Sequence, residues 1–208
     1  MARSNGRIAG VLFFVAGAQF IFGLVVAEAL YPSYSFADNY ISDLGVGPSS
    51  IIFNSSAFLL GLLLLIGTYF LRHISNFKTV SMLLLLMALG AMGVGVFTKD
   101  YRTAHGAVAS AAFFFAGLSA ISSFKVLKKP LSLISIILGT MTLGALVLFS
   151  SGMITSGSLT SDIAYDSDFY MGLGPGGMEH MIVYPALIWL TLFSGHLIAL
   201  SEKQETPQ

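Results

Sequence analysis

Apolar and polar residues segregate along this chain into long blocks. Six apolar runs, at about 8–30, 51–71, 79–97, 104–124, 131–151 and 179–200, are closed off by shorter segments that hold the charges and turn formers. A run of about 20 apolar residues crosses about 30 Å of hydrocarbon at about 1.5 Å per residue. Lipid offers no partner for backbone amides, so each such run is expected to be helical. The pattern therefore predicts an all-α fold, a six-transmembrane-helix bundle forming one domain over residues 1–208. The first run follows Arg3 and Arg7, and the pair Ala27 and Ala29 resembles a signal-peptide cleavage site. A secretory apolar core is about 7–15 residues long, and this run is longer, which favours a retained helix.

Composition agrees with that class. The chain has 208 residues, 55% hydrophobic and 10% charged, with a mean hydropathy of +0.83, too few charges to clothe a water-soluble domain of this size. Ten basic and ten acidic residues cancel, and nothing suggests nucleic acid as a partner. With no cysteine, disulfides and thiolate chemistry are excluded, and a metal would need His, Asp or Glu.

Six spans put both termini on one side. Arg3, Arg7, Arg72, Lys78, Lys125, Lys128, Lys129 and Lys203 fall on that side, against Lys99 and Arg102 on the other. The positive-inside rule then makes the termini cytoplasmic and the protein a multi-pass plasma-membrane protein. Most acids sort outward: Glu28, Asp38, Asp43, Asp100, Asp162, Asp166, Asp168 and Glu179.

Candidate chemistry gathers at the same outer ends. His105 opens the fourth span and His180 the sixth, with Asp100 five residues before the first and Glu179 beside the second. Ser42 and Asp43 lie in a first loop able to fold over that mouth, and Glu28 ends the first span. Carboxylates and imidazoles at the rim of a bundle suit a divalent ion such as zinc, held by His105, Glu179 and Asp43, or an acid/base pair acting on an ester. His73 and His196 lie toward the other side. Haem is discounted because a two-haem core would need paired histidines on two helices, and only the sixth span has two.

Other motifs carry less. Gly172 to Gly177 matches GxGxxG without a preceding strand, and reads as a flexible turn. Asn54-Ser55-Ser56 has the form of a glycosylation site but falls inside a span. Asp162, Asp166 and Asp168 do not complete an EF-hand. Gln19 is expected to bond a neighbouring helix. The small residues Gly90, Gly93, Gly95, Gly106, Ser110, Gly117, Ser135 and Gly139 are expected at helix contacts. Pro185 is expected to free a carbonyl near Met181.

The segment Asn39 to Pro48 with Phe53, His105 opening the fourth span, and Gly177-Met178-Glu179-His180 before Tyr184-Pro185 resemble a prokaryotic membrane family known as domain of unknown function 998. The resemblance covers nearly the whole chain. It implies a shared site at Ser42, Asp43, His105 and Glu179. Asp43 and His180 depart from its pattern, where Glu and Arg are expected, and this favours an ion pair within the site over a metal. The first loop is also similar to that of the eukaryotic Frag1/DRAM/Sfk1 membrane proteins.

The expected function is binding of a small ligand, lipid headgroup or cation at an outward pocket formed by Ser42, Asp43, Asp100, His105, Glu179 and His180, in a sensor or accessory role. A metal-dependent hydrolase acting on a lipid or ester, with Asp43, His105 and Glu179 as its candidate catalytic groups, is an alternative. A small transporter is another.

Overall fold

The computed structural model describes residues 2–157 and 166–202. Among the described residues six helices are long and apolar enough to cross a membrane. They are α1 (Ala2–Leu30), α2 (Ser50–Leu71), α3 (Lys78–Val96), α4 (Arg102–Ser122), α5 (Leu131–Thr155) and α6 (Gly174–Glu202). Each helix packs on its neighbours in sequence, and α6 returns to α1, so the six form a closed ring. Links of a few residues between α2 and α3, and between α4 and α5, force antiparallel neighbours.

Small residues set the helix separations. A Cβ on Gly139 of α5 would lie 2.6 Å from the Gly117 carbonyl of α4, and one on Gly90 of α3 would lie 2.6 Å from the Ala112 amide. Gly93 and Gly95 are similarly crowded, by Val108 and by the Asn54 carbonyl. Gly106 differs: nothing lies within 4 Å of its Cβ position, because it borders open space. Gln19 bridges α1 to α2 through the Ser56 carbonyl at 3.0 Å.

α6 is the most buried of the six, with Trp189, Leu190 and Phe193 fully enclosed. Phe193 stacks on Trp189 at 5.4 Å and meets Phe13 of α1 at 6.3 Å. Phe77, in the turn between α2 and α3, reaches the same ring at 6.0 Å. One end of the bundle, the terminal face, gathers the start of α1, the end of α6 and the α2–α3 turn: Gly10 lies against Ile198, and Gly6 against Ile74. The loop between α1 and α2 covers the opposite end, the loop face.

The run from Gly172 to Gly177 is not the flexible turn expected from its glycines. Its last four residues are the first turn of α6. Proline suits a first helical turn, where its missing N–H is no loss. Gly174 takes φ of +73° and Gly176 approaches the Asn39 carbonyl so closely that a side chain would collide with it. The Gly176 amide donates to the Ala37 carbonyl at 2.8 Å, docking the helix on the first loop.

Candidate functional site

The first loop is a plug with its own secondary structure. Ile41–Gly45 forms a 3-10 turn that drives Ile41 and Leu44 into the core, at 3% and 0% exposure, against Phe53 and its neighbours. Two polar side chains return to its backbone from the start of α2. Asn54 donates to the Gly45 carbonyl at 2.9 Å and Ser49 to the Leu44 carbonyl at 2.9 Å. Asn54 is therefore a half-buried anchor. The third anchor comes from α6, where the Glu179 carboxylate accepts the Ile41 amide at 2.6 Å in a buried setting.

Asp43 caps the turn by accepting the Tyr40 amide at 2.9 Å. Its other oxygen pairs with the Lys99 ammonium, which lies 4.5 Å from the centre of the Tyr40 ring. Sequence reasoning placed Lys99 on this face but gave it no role. Its signal was rarity, since Lys99 and Arg102 are the two bases of an acid-rich face and flank the start of α4.

The six predicted residues divide into four placements. Ser42, His105 and Glu179 come together, because all three line the same two voids. Asp43 lies beside them and is engaged by Lys99. Asp100 is exposed and accepts a hydrogen bond from Thr98 at 3.3 Å, away from those voids. His180 faces elsewhere: Nδ1 lies 2.8 Å from the Gly176 carbonyl, Nε2 lies 3.2 Å from Glu28, and the ring stacks on Phe36 at 3.8 Å. A carbonyl only accepts, so Nδ1 carries a proton and Nε2 is the nitrogen that faces Glu28. His105 and His180 thus serve separate constellations. Tyr34, outside the spans, faces the second: burial pushes its phenol above the ordinary tyrosine range, and the carboxylates of Glu28, Glu179 and Asp43 push it the same way.

His105 approaches the Phe97 carbonyl through Nδ1 at 2.7 Å, which makes Nδ1 the protonated nitrogen of the neutral ring and Nε2 its basic atom. The two voids meet at this residue. One is a groove of about 330 Å³ between α4 and α5, with Lys99 and Arg102 at its rim, Gly106 and Ser110 along one wall, and Leu146, Phe149 and Met153 opposite. The other is a cavity of about 70 Å³ beneath the plug, walled by residues such as Phe20, Leu60, Met87 and Leu187. Among the described residues its polar lining consists of Ser42, His105 and Glu179, all three shared with the groove.

Among the described residues no three of His, Asp and Glu converge closely enough to hold a metal ion. Asp166 accepts its neighbour Ser167's amide at 2.9 Å, and Asp162 lies outside the described residues. Compared with known proteins, residues 14–196 match a family model described as "Protein of unknown function (DUF998)". No curated protein and no solved structure matches the chain.

Proposed function

We propose, from the premise that this chain belongs to the DUF998 family of unknown function, that it is a membrane-embedded binding protein whose α4–α5 groove admits a lipid or small amphiphile. The polar end meets Ser42, His105 and Glu179, and the apolar part lies along Phe113, Leu146 and Phe149. One observation carries this reading: Ser42, His105 and Glu179, the polar groups of an otherwise apolar inner cavity, also line the open groove, so the two voids join at them. Lipid-facing openings between helices with a few convergent polar groups are the usual form of such sites. In this reading the loop face is the outer one, because the described bases Arg7, Arg72, Lys78, Lys125, Lys128 and Lys129 belong to the terminal face. A metal-dependent hydrolase at this place would need a ligand set that the described residues do not bring together. A transporter would need a path through the apolar floor at Leu60, Met87 and Leu187.

The chain has no cysteine, so Ser110→Cys places a single thiol in the groove wall. Dihexanoyl phosphatidylethanolamine is expected to slow alkylation of that thiol and to leave a control thiol at Asn76→Cys unaffected. Gly106→Leu fills the groove where a side chain meets nothing, and should remove the protection without lowering the melting temperature. Alkylation of Ser110→Cys at the same rate with and without the lipid overturns the reading.

A further inference from the structure

A second groove lies at the opposite end of the bundle, between α2 and α3, and shares no residue with the first. It measures about 640 Å³ and is lined by Leu65, Ile66, Thr68, Tyr69, Phe70, Arg72, Lys78, Ser81, Met82 and Leu85. We propose that this groove holds an anionic phospholipid of the terminal-face leaflet, with its phosphate between Arg72 and Lys78.

The argument is one of depth. Arg72 ends α2 and Lys78 begins α3, so both charges stand at the membrane boundary, where they are exposed. Among the described residues neither has an ion-pair partner, and the Arg72 guanidinium is propped 4.4 Å above the Tyr69 ring. Thr68 lies four residues inward of Arg72 and Ser81 three residues inward of Lys78, about 6 Å and about 4.5 Å along the respective axes. Both residues are buried, at 4% and 3% exposure, and neither hydroxyl has a hydrogen-bond partner. A helix serine or threonine ordinarily bonds a carbonyl one turn back, as Thr142, Thr191 and Ser150 do here. A buried hydroxyl without a partner is costly, and rotation about χ1 turns each toward the groove its residue lines. One turn deeper the walls are Leu65 and Leu85. Two cations, then two unsatisfied donors, then hydrocarbon reproduce in order the phosphate, ester oxygens and acyl chains of a phospholipid. Basic pockets between helices at the cytoplasmic side are a recurring form of anionic headgroup site. A second copy of the chain related by a twofold axis would set Arg72 and Lys78 against themselves, so charge disfavours self-association as the occupant.

The test is native mass spectrometry of the full chain in a neutral detergent, offered phosphatidylglycerol and phosphatidylcholine of identical acyl chains at equal concentration. Wild type is expected to retain one phosphatidylglycerol in preference to phosphatidylcholine. Arg72→Gln with Lys78→Gln should cut that preference about thirtyfold, about fivefold for each basic residue at a membrane surface. Lys125→Gln with Lys128→Gln, exposed at the same face but outside the groove, should leave it unchanged. Thr68→Val with Ser81→Ala should weaken retention about fivefold while raising the melting temperature of lipid-free protein, a combination that a structural role for the hydroxyls would not give. The proposal is overturned if both lipids are retained equally, or if the control pair weakens retention as much as the groove pair. It is equally overturned if the groove pair abolishes a dimer in place of a bound lipid.

Discussion

Replacing Glu179 with leucine separates the plug from the bundle without emptying the site. The carboxylate accepts the Ile41 amide at 2.6 Å, with Glu179 at 6% and Ile41 at 3% exposure. Removing the acceptor leaves a buried amide unpaired, at a cost of about 1.5–3 kcal/mol. Leucine is close enough in volume that little cavity is added. The other anchors, Asn54 and Ser49, remain, so the loss falls on opening of the 3-10 turn and not on the helices. An opening equilibrium shifted by 1.5–3 kcal/mol changes by about tenfold to a hundredfold.

Leu44, fully buried in that turn, reports the opening directly. With Leu44→Cys as the sole thiol, alkylation under conditions where closing outpaces labelling measures the open fraction. Glu179→Leu should accelerate it by about tenfold to a hundredfold over the same cysteine background. Glu179→Gln keeps an acceptor oxygen and should accelerate it several-fold less, since the Ile41 amide retains a partner. Equal rates with Glu and Leu at position 179 would remove the tether from the account. Equal rates with Gln and Leu would show that charge, and not the acceptor, holds the plug.

The Asp43–Lys99 pair, at 13% and 27% side-chain exposure, should show a coupling of about 1 kcal/mol in a double-mutant cycle read by thermal unfolding. Lys99→Met alone should destabilise by leaving Asp43 unneutralised, and adding Asp43→Asn should recover part of the loss; strictly additive singles would contradict this. Tyr34→Phe should leave stability unchanged or raise it by about 1 kcal/mol, since the buried phenol oxygen has no hydrogen-bond partner. Its folded pKa is raised, so the neutral phenol's contribution is fully present below pH 10 and is lost as pH climbs through the higher folded value. Absorbance titration of wild type against Tyr34→Phe should therefore show this phenolate appearing only above the ordinary range. Pro48→Cys and Asn76→Cys, both exposed at opposite ends, should label from opposite sides of sealed vesicles, the first from outside.

The six helices were legible because apolar length is a one-dimensional property that survives without knowledge of neighbours. Their ring order was not, because six similar apolar faces carry no partner label. The start of α6 was misread for a specific reason: Gly and Pro are turn formers in water, but here proline fits a first helical turn and Gly176 makes room for the Asn39 carbonyl. Glu179 and His180 are adjacent in sequence, but consecutive helix residues point about 100° apart, and here the first faces the plug and the second faces Glu28. Asp100 was grouped with His105 by closeness in sequence, but its neighbour Lys99 is the residue that turns toward Asp43. Glu28 was legible as the acid ending the first span, and its partner, His180, became visible in the structure.

Ser42 carries the strongest argument that plug and groove are one device. It lines both voids, and its two neighbours are both tethered, Ile41 to Glu179 and Asp43 to Lys99. Those two partners themselves line the groove, one at its inner end and one at its rim. A molecule that competes for Glu179 or Lys99 therefore pulls on the backbone at either side of Ser42. The apolar insertion of Ile41 and Leu44 resists that pull, because raising the turn would expose side chains worth about 1.5–3 kcal/mol each in buried area. Polar competition from the groove and apolar burial beneath the loop thus oppose each other across five residues. The tethers and the apolar burial together hold the first loop closed, and a ligand of the chemistry proposed here would have to outweigh both to raise it.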